Sequence, residues 1–67
     1  MTDIRDNVGS AISKGGYIKS RVAEAMGLTP QQLSDVLAHR RKLEANEFLL
    51  FCDFVRLAPS EVASINS

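Results

Sequence analysis

Val22-Ala23-Glu24-Ala25-Met26-Gly27-Leu28-Thr29-Pro30-Gln31-Gln32-Leu33-Ser34 holds the end of one helix, a turn and the start of another. Gly27 is a natural left-handed helix stop, because it reaches positive φ without a Cβ clash, and Leu28 supplies the apolar contact that follows such a cap. Helix formation resumes two residues later. Thr29, Pro30 and Gln32 combine an N-cap hydroxyl, a proline at N1 and a glutamine at N3, which together make a capping box. Val22 and Met26 before the turn, with Leu33 and Val36 after it, have the spacing of a shared core. Ala23 is small where the following helix must pass close. The stretch predicts two helices crossing steeply over a tight turn.

Working outward, the helix before the turn reaches back from Met26 to about Tyr17, with Ile18, Val22, Ala23 and Met26 inward. A first helix, capped by Thr2, carries Ile4, Val8, Ala11 and Ile12 on one face and ends near Gly15-Gly16. The helix after the turn has the stripe Leu33, Val36 and Leu37 and runs to Ala38 or His39. A basic loop, Arg40-Arg41-Lys42, leads into a fourth helix over about Glu44 to Val55. Its expected core arc is Ala45, Phe48, Leu49, Cys52 and Val55, with Phe51 at the border and Leu50 and Phe54 outside. Ala58-Pro59-Ser60-Glu61 opens a last short helix with Val62 and Ile65 inward. No stretch alternates apolar and polar residues for strand-like lengths. The fold class expected is all-α: a compact bundle of five short helices in a single domain, residues 1–67.

Composition narrows the function classes. At 67 residues and 7.3 kDa, the chain has room for one small domain, which buries only about 60% of its unfolded surface. The 45% hydrophobic and 24% charged fractions are those of a globular chain, not a disordered one. The longest apolar run, Phe48 to Cys52, falls far short of a membrane span. The opening Met-Thr-Asp-Ile-Arg-Asp lacks the pattern of a signal peptide. One cysteine, Cys52, gives no internal disulfide, fits a reducing cytoplasm and reads as a small buried hydrophobe. With one histidine, His39, there is no metal-ligand set, and no serine or cysteine is placed to use it as a base. Gly15-Gly16 is a plain connector, not a phosphate-cradling loop. The expectation is a protein that is not an enzyme, with no cofactor, no metal and no small-molecule substrate.

Zero net charge hides a division. Residues 1–43 carry seven basic groups (Arg5, Lys14, Lys19, Arg21, Arg40, Arg41, Lys42) against Asp3, Asp6, Glu24 and Asp35, giving +3. Residues 44–67 carry Arg56 against Glu44, Glu47, Asp53 and Glu61, giving −3. Such polarity can orient a protein on a polyanion even when its net charge attracts nothing.

Residues 22–34 resemble the helix-turn-helix of the phage repressor and Cro-like family, also called the XRE family. The similarity continues without a gap from Ile4 to Val62. Ile4 and Val8 match the first helix, Gly16-Tyr17 the loop after it, and Leu57-Ala58-Pro59-Ser60-Glu61-Val62 the start of the fifth. The resemblance implies a lambda-repressor-like DNA-binding domain. It further implies a cytoplasmic transcriptional regulator that occludes promoter DNA, binding double-stranded DNA as a homodimer on a two-fold operator, with no membrane involved. The recognition helix would be Pro30–Ala38, presenting Pro30, Gln31, Gln32, Ser34 and Asp35 to bases in the major groove. Gln31 suits adenine N6 and N7, and Asp35 can accept from cytosine N4 although it also repels phosphates. Phosphate contacts would come from Lys19, Thr29, His39, Arg40, Arg41 and Lys42, which position the protein without reading sequence. Arg21 is less secure in that role, with Glu24 and Asp35 as potential partners. One departure stands out: many members follow the recognition helix with Glu-Asn-Gly, where this chain has Leu37-Ala38-His39. The loop must then turn with His39 left-handed, or the helix must run longer.

Leu50 and Phe54, one turn apart on the fourth helix, are expected to form the dimer interface unless the fifth helix covers them. A different class of function competes. Zero net charge and Asp35 also suit a helix-turn-helix used as a protein-binding module, of antirepressor or antitoxin type. The segment Leu33 to Arg41 resembles the DNA-binding antitoxins as well. Gln31, Gln32 and the Arg40-Arg41-Lys42 cluster favour DNA. The turn itself is directly testable: Gly27→Val should destabilise the protein, because β-branched residues are outliers at positive φ. Thr29→Ala should cost about 1 kcal/mol through the lost cap. Denaturant titrations of both variants against the parent check this, and a Gly27→Val curve superimposing on the parent's would move the turn elsewhere.

Overall fold

The computed structural model describes residues 3–65. It contains α1 (Ile4–Gly15), α2 (Lys19–Ala25), α3 (Pro30–Leu37), α4 (Ala45–Val55) and α5 (Pro59–Ala63). No strand occurs among the described residues, and the fold is all-α. No helix among them is long and apolar enough to cross a membrane.

The turn after α2 has the geometry its residues require. Gly27 adopts φ 74°, its N–H donates to the Glu24 carbonyl, and the Leu28 N–H donates to the Ala23 carbonyl at 2.8 Å. Those two bonds form a Schellman motif, and Leu28 is buried beneath it. At the head of α3 the Thr29 hydroxyl accepts from the Gln32 N–H at 3.1 Å, and the Gln32 amide oxygen accepts from the Thr29 N–H at 2.9 Å. The capping box is therefore complete in both directions. α3 closes in the same manner as α2, but with His39 at φ 64° where α2 uses glycine. The His39 N–H donates to Val36 and the Arg40 N–H to Asp35. The missing Asn-Gly is thus replaced by a left-handed histidine.

Three expectations need correction. Thr2 lies outside the described residues, and the N-cap of α1 is Asp3, whose carboxylate accepts from the Arg5 N–H at 2.9 Å. α2 begins two residues later than Tyr17, so Ile18 occupies the extended cap position and stays 66% exposed instead of turning inward. α4 is rotated by roughly 60° about its axis relative to the expected arc. Its buried residues are Glu47, Phe51, Cys52 and Val55, while Leu49 is 57% exposed and Ala45 is also outside. Phe51, read as a border residue, is fully buried within the one core that all five helices share. Placing that large ring centrally turns Leu49 outward.

α5 spans five residues, too few to hold a helix on its own. Val62 packs it into the core, and Asn7 holds its end. The Asn7 side chain is buried in α1, and its Nδ2 donates to the carbonyls of Val62 at 3.0 Å and Ala63 at 3.1 Å. These carbonyls belong to the last turn, where helices lack internal donors. Asn7→Leu should cost about 1–3 kcal/mol, since it leaves both carbonyls without that donor. Urea unfolding measures the loss, and hydrogen exchange should show residues 59–63 losing protection first.

Candidate nucleic-acid interface

α3 is the element that carries most of the candidate contacts. Leu33 and Val36 bury its inner face against α2 and the core. That burial leaves Pro30, Gln31, Gln32 and Ser34 exposed on the opposite side, with Asp35 half-buried at the edge. Two of these polar groups have prior commitments. Gln32 spends its amide oxygen on the capping box, and the Thr29 hydroxyl is spent there too. Gln32 keeps both amide donors for a ligand, with its oxygen held back toward the helix start, and Thr29 keeps its hydroxyl proton. Gln31 donates from Nε2 to Asp35 Oδ1 at 3.1 Å, and the same oxygen accepts from Arg40 Nε at 3.2 Å. Ser34 is exposed at the centre of the face.

The basic loop is less available than its composition suggests. Arg41, expected on phosphate, is half-buried and directs both terminal nitrogens at Glu47, Nη1 to Oε1 at 3.0 Å and Nη2 to Oε2 at 3.1 Å. Arg5 Nη1 donates to the Arg41 carbonyl at 3.2 Å, and Arg5 in turn holds Asp3 through Nε and Nη2. Glu47 also accepts from the Glu44 N–H at 3.1 Å, closing the start of α4. One chain of charge-assisted bonds therefore joins the N-terminus of α1, the loop and the N-terminus of α4. Arg40 pairs with Asp35 at 3.2 Å. His39, also expected on phosphate, has Nε2 2.7 Å from Asp6 Oδ1, so its ring is engaged with α1.

The cations left without an ion pair among the described residues are Lys14, Lys19, Arg21, Lys42 and Arg56. Neither Glu24 nor Asp35 holds Arg21. Lys19, the first residue of α2, lines an open depression of about 430 Å³ together with Ser13 and Leu37, beside the C-terminal end of α3. Lys42 is exposed in the loop. Among residues 3–43, Glu24 is the one acid outside an ion pair, so the unpaired charge there is four positive against one negative. Internal pairing moves the positive surface from the arginines to the lysines and Arg21 without abolishing it.

Elsewhere the described residues offer little chemistry. No group of three or more His, Cys, Asp or Glu side chains among them could hold a metal ion. Cys52 is buried, and burial pushes its thiol up from the ordinary value. Leu50 and Phe54 stay 45% and 37% exposed. The ring that leans on Phe54 comes from Tyr17, with centroids 5.6 Å apart, not from α5. Tyr17 lies where a side chain on Gly15 would be, so that glycine does more than connect two helices.

Two polar residues are buried against expectation. Asn7 shares a helical arc with Ile4, Val8 and Ala11, and a polar residue at such a position was the available signal. Glu47 was expected on the outer arc of α4 beside Leu50, Phe54 and Asp53; the rotation of α4 that buries Phe51 turns it inward, where Arg41 meets it. No protein-family model matches this chain, and neither does any curated protein or solved structure. The resemblance to repressors is carried by the residues quoted above alone.

Arg41 holds the Glu47 carboxyl below the usual glutamate range, with its hydrogen bonds as the main cause. A depressed carboxylate stabilises the fold above its unfolded value, and that contribution is lost as pH falls through the folded one. Glu47→Gln should therefore lower the thermal midpoint at pH 7 and flatten its fall below about pH 4.5. Melting curves from pH 2 to 7 on both proteins check the sign.

Proposed function

We propose that the chain is a sequence-specific DNA-binding regulator, with α2, the Gly27 turn and α3 acting as a helix-turn-helix. The observation that carries this reading is the exposed outer face of the first two turns of α3. A complete capping box and two buried side chains hold it, and it presents Gln31 and Ser34 outward. A fixed helix start with outward amide and hydroxyl groups is what base-edge reading in a major groove needs. Lys19, Arg21 and Lys42 are the natural phosphate contacts, being free of ion pairs. Arg41 belongs to the scaffold. Acting in the cytoplasm, where Cys52 stays reduced, such a protein would repress by occluding promoter DNA, in the manner of a minimal phage or mobile-element regulator.

A second copy completes the site. One small domain covers a single half-site and makes few phosphate contacts, whereas two α3 helices about 34–36 Å apart enter successive major grooves. Leu50 and Phe54 supply an exposed apolar pair for the contact, on the half of the chain that carries the acidic excess. A specific observation supports a competing reading. Arg40, Arg41 and His39 are all already paired with carboxylates, which suits a protein-binding module of antirepressor or antitoxin type.

Selection from a random duplex pool separates the two readings. The parent should enrich a two-fold motif, and Gln31→Ala should lose about 1–3 kcal/mol on it while relaxing preference at one base pair. Enrichment of no motif, even at low salt, would leave the protein-binding reading standing. Leu50→Glu with Phe54→Glu should abolish cooperative binding to a palindromic site while each copy stays folded, as read by sedimentation and circular dichroism.

A further inference from the structure

Along the outer edge of α3, Gln31 and the half-buried Asp35 form a row with Arg40 of the following loop, linked by hydrogen bonds. Gln31 Nε2 lies 3.1 Å from Asp35 Oδ1, and Arg40 reaches the same oxygen through Nε and Nη2, each at 3.2 Å. Gln31 and Asp35 are four residues apart, so the helix itself sets them side by side. A carboxylate accepts hydrogen bonds and cannot donate, which fixes the orientation of the Gln31 amide: its nitrogen faces Asp35 and its oxygen points away. Adenine, read in the major groove, requires one donor for N7 and one acceptor for N6. The Gln31 amide has two N–H groups, and giving one to Asp35 leaves one donor and the acceptor for the base. The bond therefore costs no reading capacity and selects one amide orientation of two.

We propose that Asp35 is a positioning residue, not a base reader: it orients Gln31 for adenine and at the same time masks Arg40 from phosphate. This deepens the DNA-binding reading and rests on it. The two effects have opposite signs for binding. Holding Gln31 sharpens discrimination between bases, because the amide no longer has to be ordered on contact. Neutralising Arg40 removes one cation from the attraction that all duplexes share. Asp35 thus trades general affinity for selectivity, and the trade is made by one oxygen atom.

Binding of the parent, Gln31→Ala, Asp35→Ala and Asp35→Asn to the selected site and its single base-pair variants, over a range of salt, tests this. Gln31→Ala identifies the base pair concerned. Asp35→Ala should reduce preference at that same pair from about tenfold toward twofold. It should also tighten binding to unrelated duplex and steepen the salt slope by about one unit. Asp35→Asn should keep the preference, since its amide oxygen still accepts from Gln31, yet show the same gain on unrelated duplex. In the DNA-free protein, the Gln31 side-chain amide resonances should shift in Asp35→Ala, with helical content unchanged. Preference retained in Asp35→Ala, or lost at a different pair and not rescued by asparagine, would overturn the proposal and make Asp35 a direct reader or a bystander. Unmoved Gln31 resonances would overturn it as well. A parent that enriches no site would defeat the DNA-binding reading itself, which distinguishes that failure from this one.

Discussion

The chain reverses direction between α2 and α3 over Met26 to Thr29, and the rest of the structure depends on that reversal. Gly27 at positive φ lets its own N–H and that of Leu28 return to the carbonyls of Glu24 and Ala23, the paired bonds that close the last turn of α2. Leu28 is buried by the same movement. With the turn closed, Val22 and Met26 face Leu33 and Val36, and Phe51 from α4 fills the space around them. α3 has its inner face fixed by this packing and its outer face fixed by default. The outward placement of Gln31 and Ser34 is set by a turn that neither of them belongs to.

A second constraint is electrostatic. The loop from Ala38 to Leu43 is rich in cations, and on its own it would be extended by self-repulsion. Three acids restrain it: Asp6 takes His39, Asp35 takes Arg40 and Glu47 takes Arg41. The Arg41–Glu47 pair is the most enclosed of these and has both guanidinium–carboxylate bonds in place, the geometry that makes such pairs strong. The exposed pairs contribute much less, because water and salt screen them. Part of the acidic charge that balances the chain to zero net charge is therefore committed to holding the loop. Among the described residues, Lys19, Arg21 and Lys42 are left without an ion pair.

The fold was legible because its signals are local. Capping boxes, glycine stops and N1 prolines act within four residues, so Thr29-Pro30-Gln31-Gln32 and Met26-Gly27-Leu28 could be read without knowing any neighbour. The left-handed His39 was one of two routes that the local sequence left open, the other being a longer α3, and the chain takes the first. Ile18 escaped because a two-residue difference in where α2 begins decides its side, and Tyr17-Ile18-Lys19 contains no capping residue to mark the boundary. The exposed face of α3 was legible by subtraction, as the complement of Leu33, Val36 and Leu37. The condition of that face was not, because hydrogen bonds among Gln31, Asp35 and Arg40 depend on where the chain goes after the helix.

The sequence by itself therefore determined the helices, their order, the turn and the outward set on α3, all through interactions spanning a few residues. Tertiary structure alone decided the rotation of α4, the burial of Asn7 against α5 and the capture of Arg41 by Glu47. The physical reason is common to all three. A short apolar helix has more than one arc that would pack acceptably, and a cation has more than one acid within reach. Only the simultaneous fit of Phe51 in the core, Asn7 on the last turn of α5 and Glu47 against the loop selects among them.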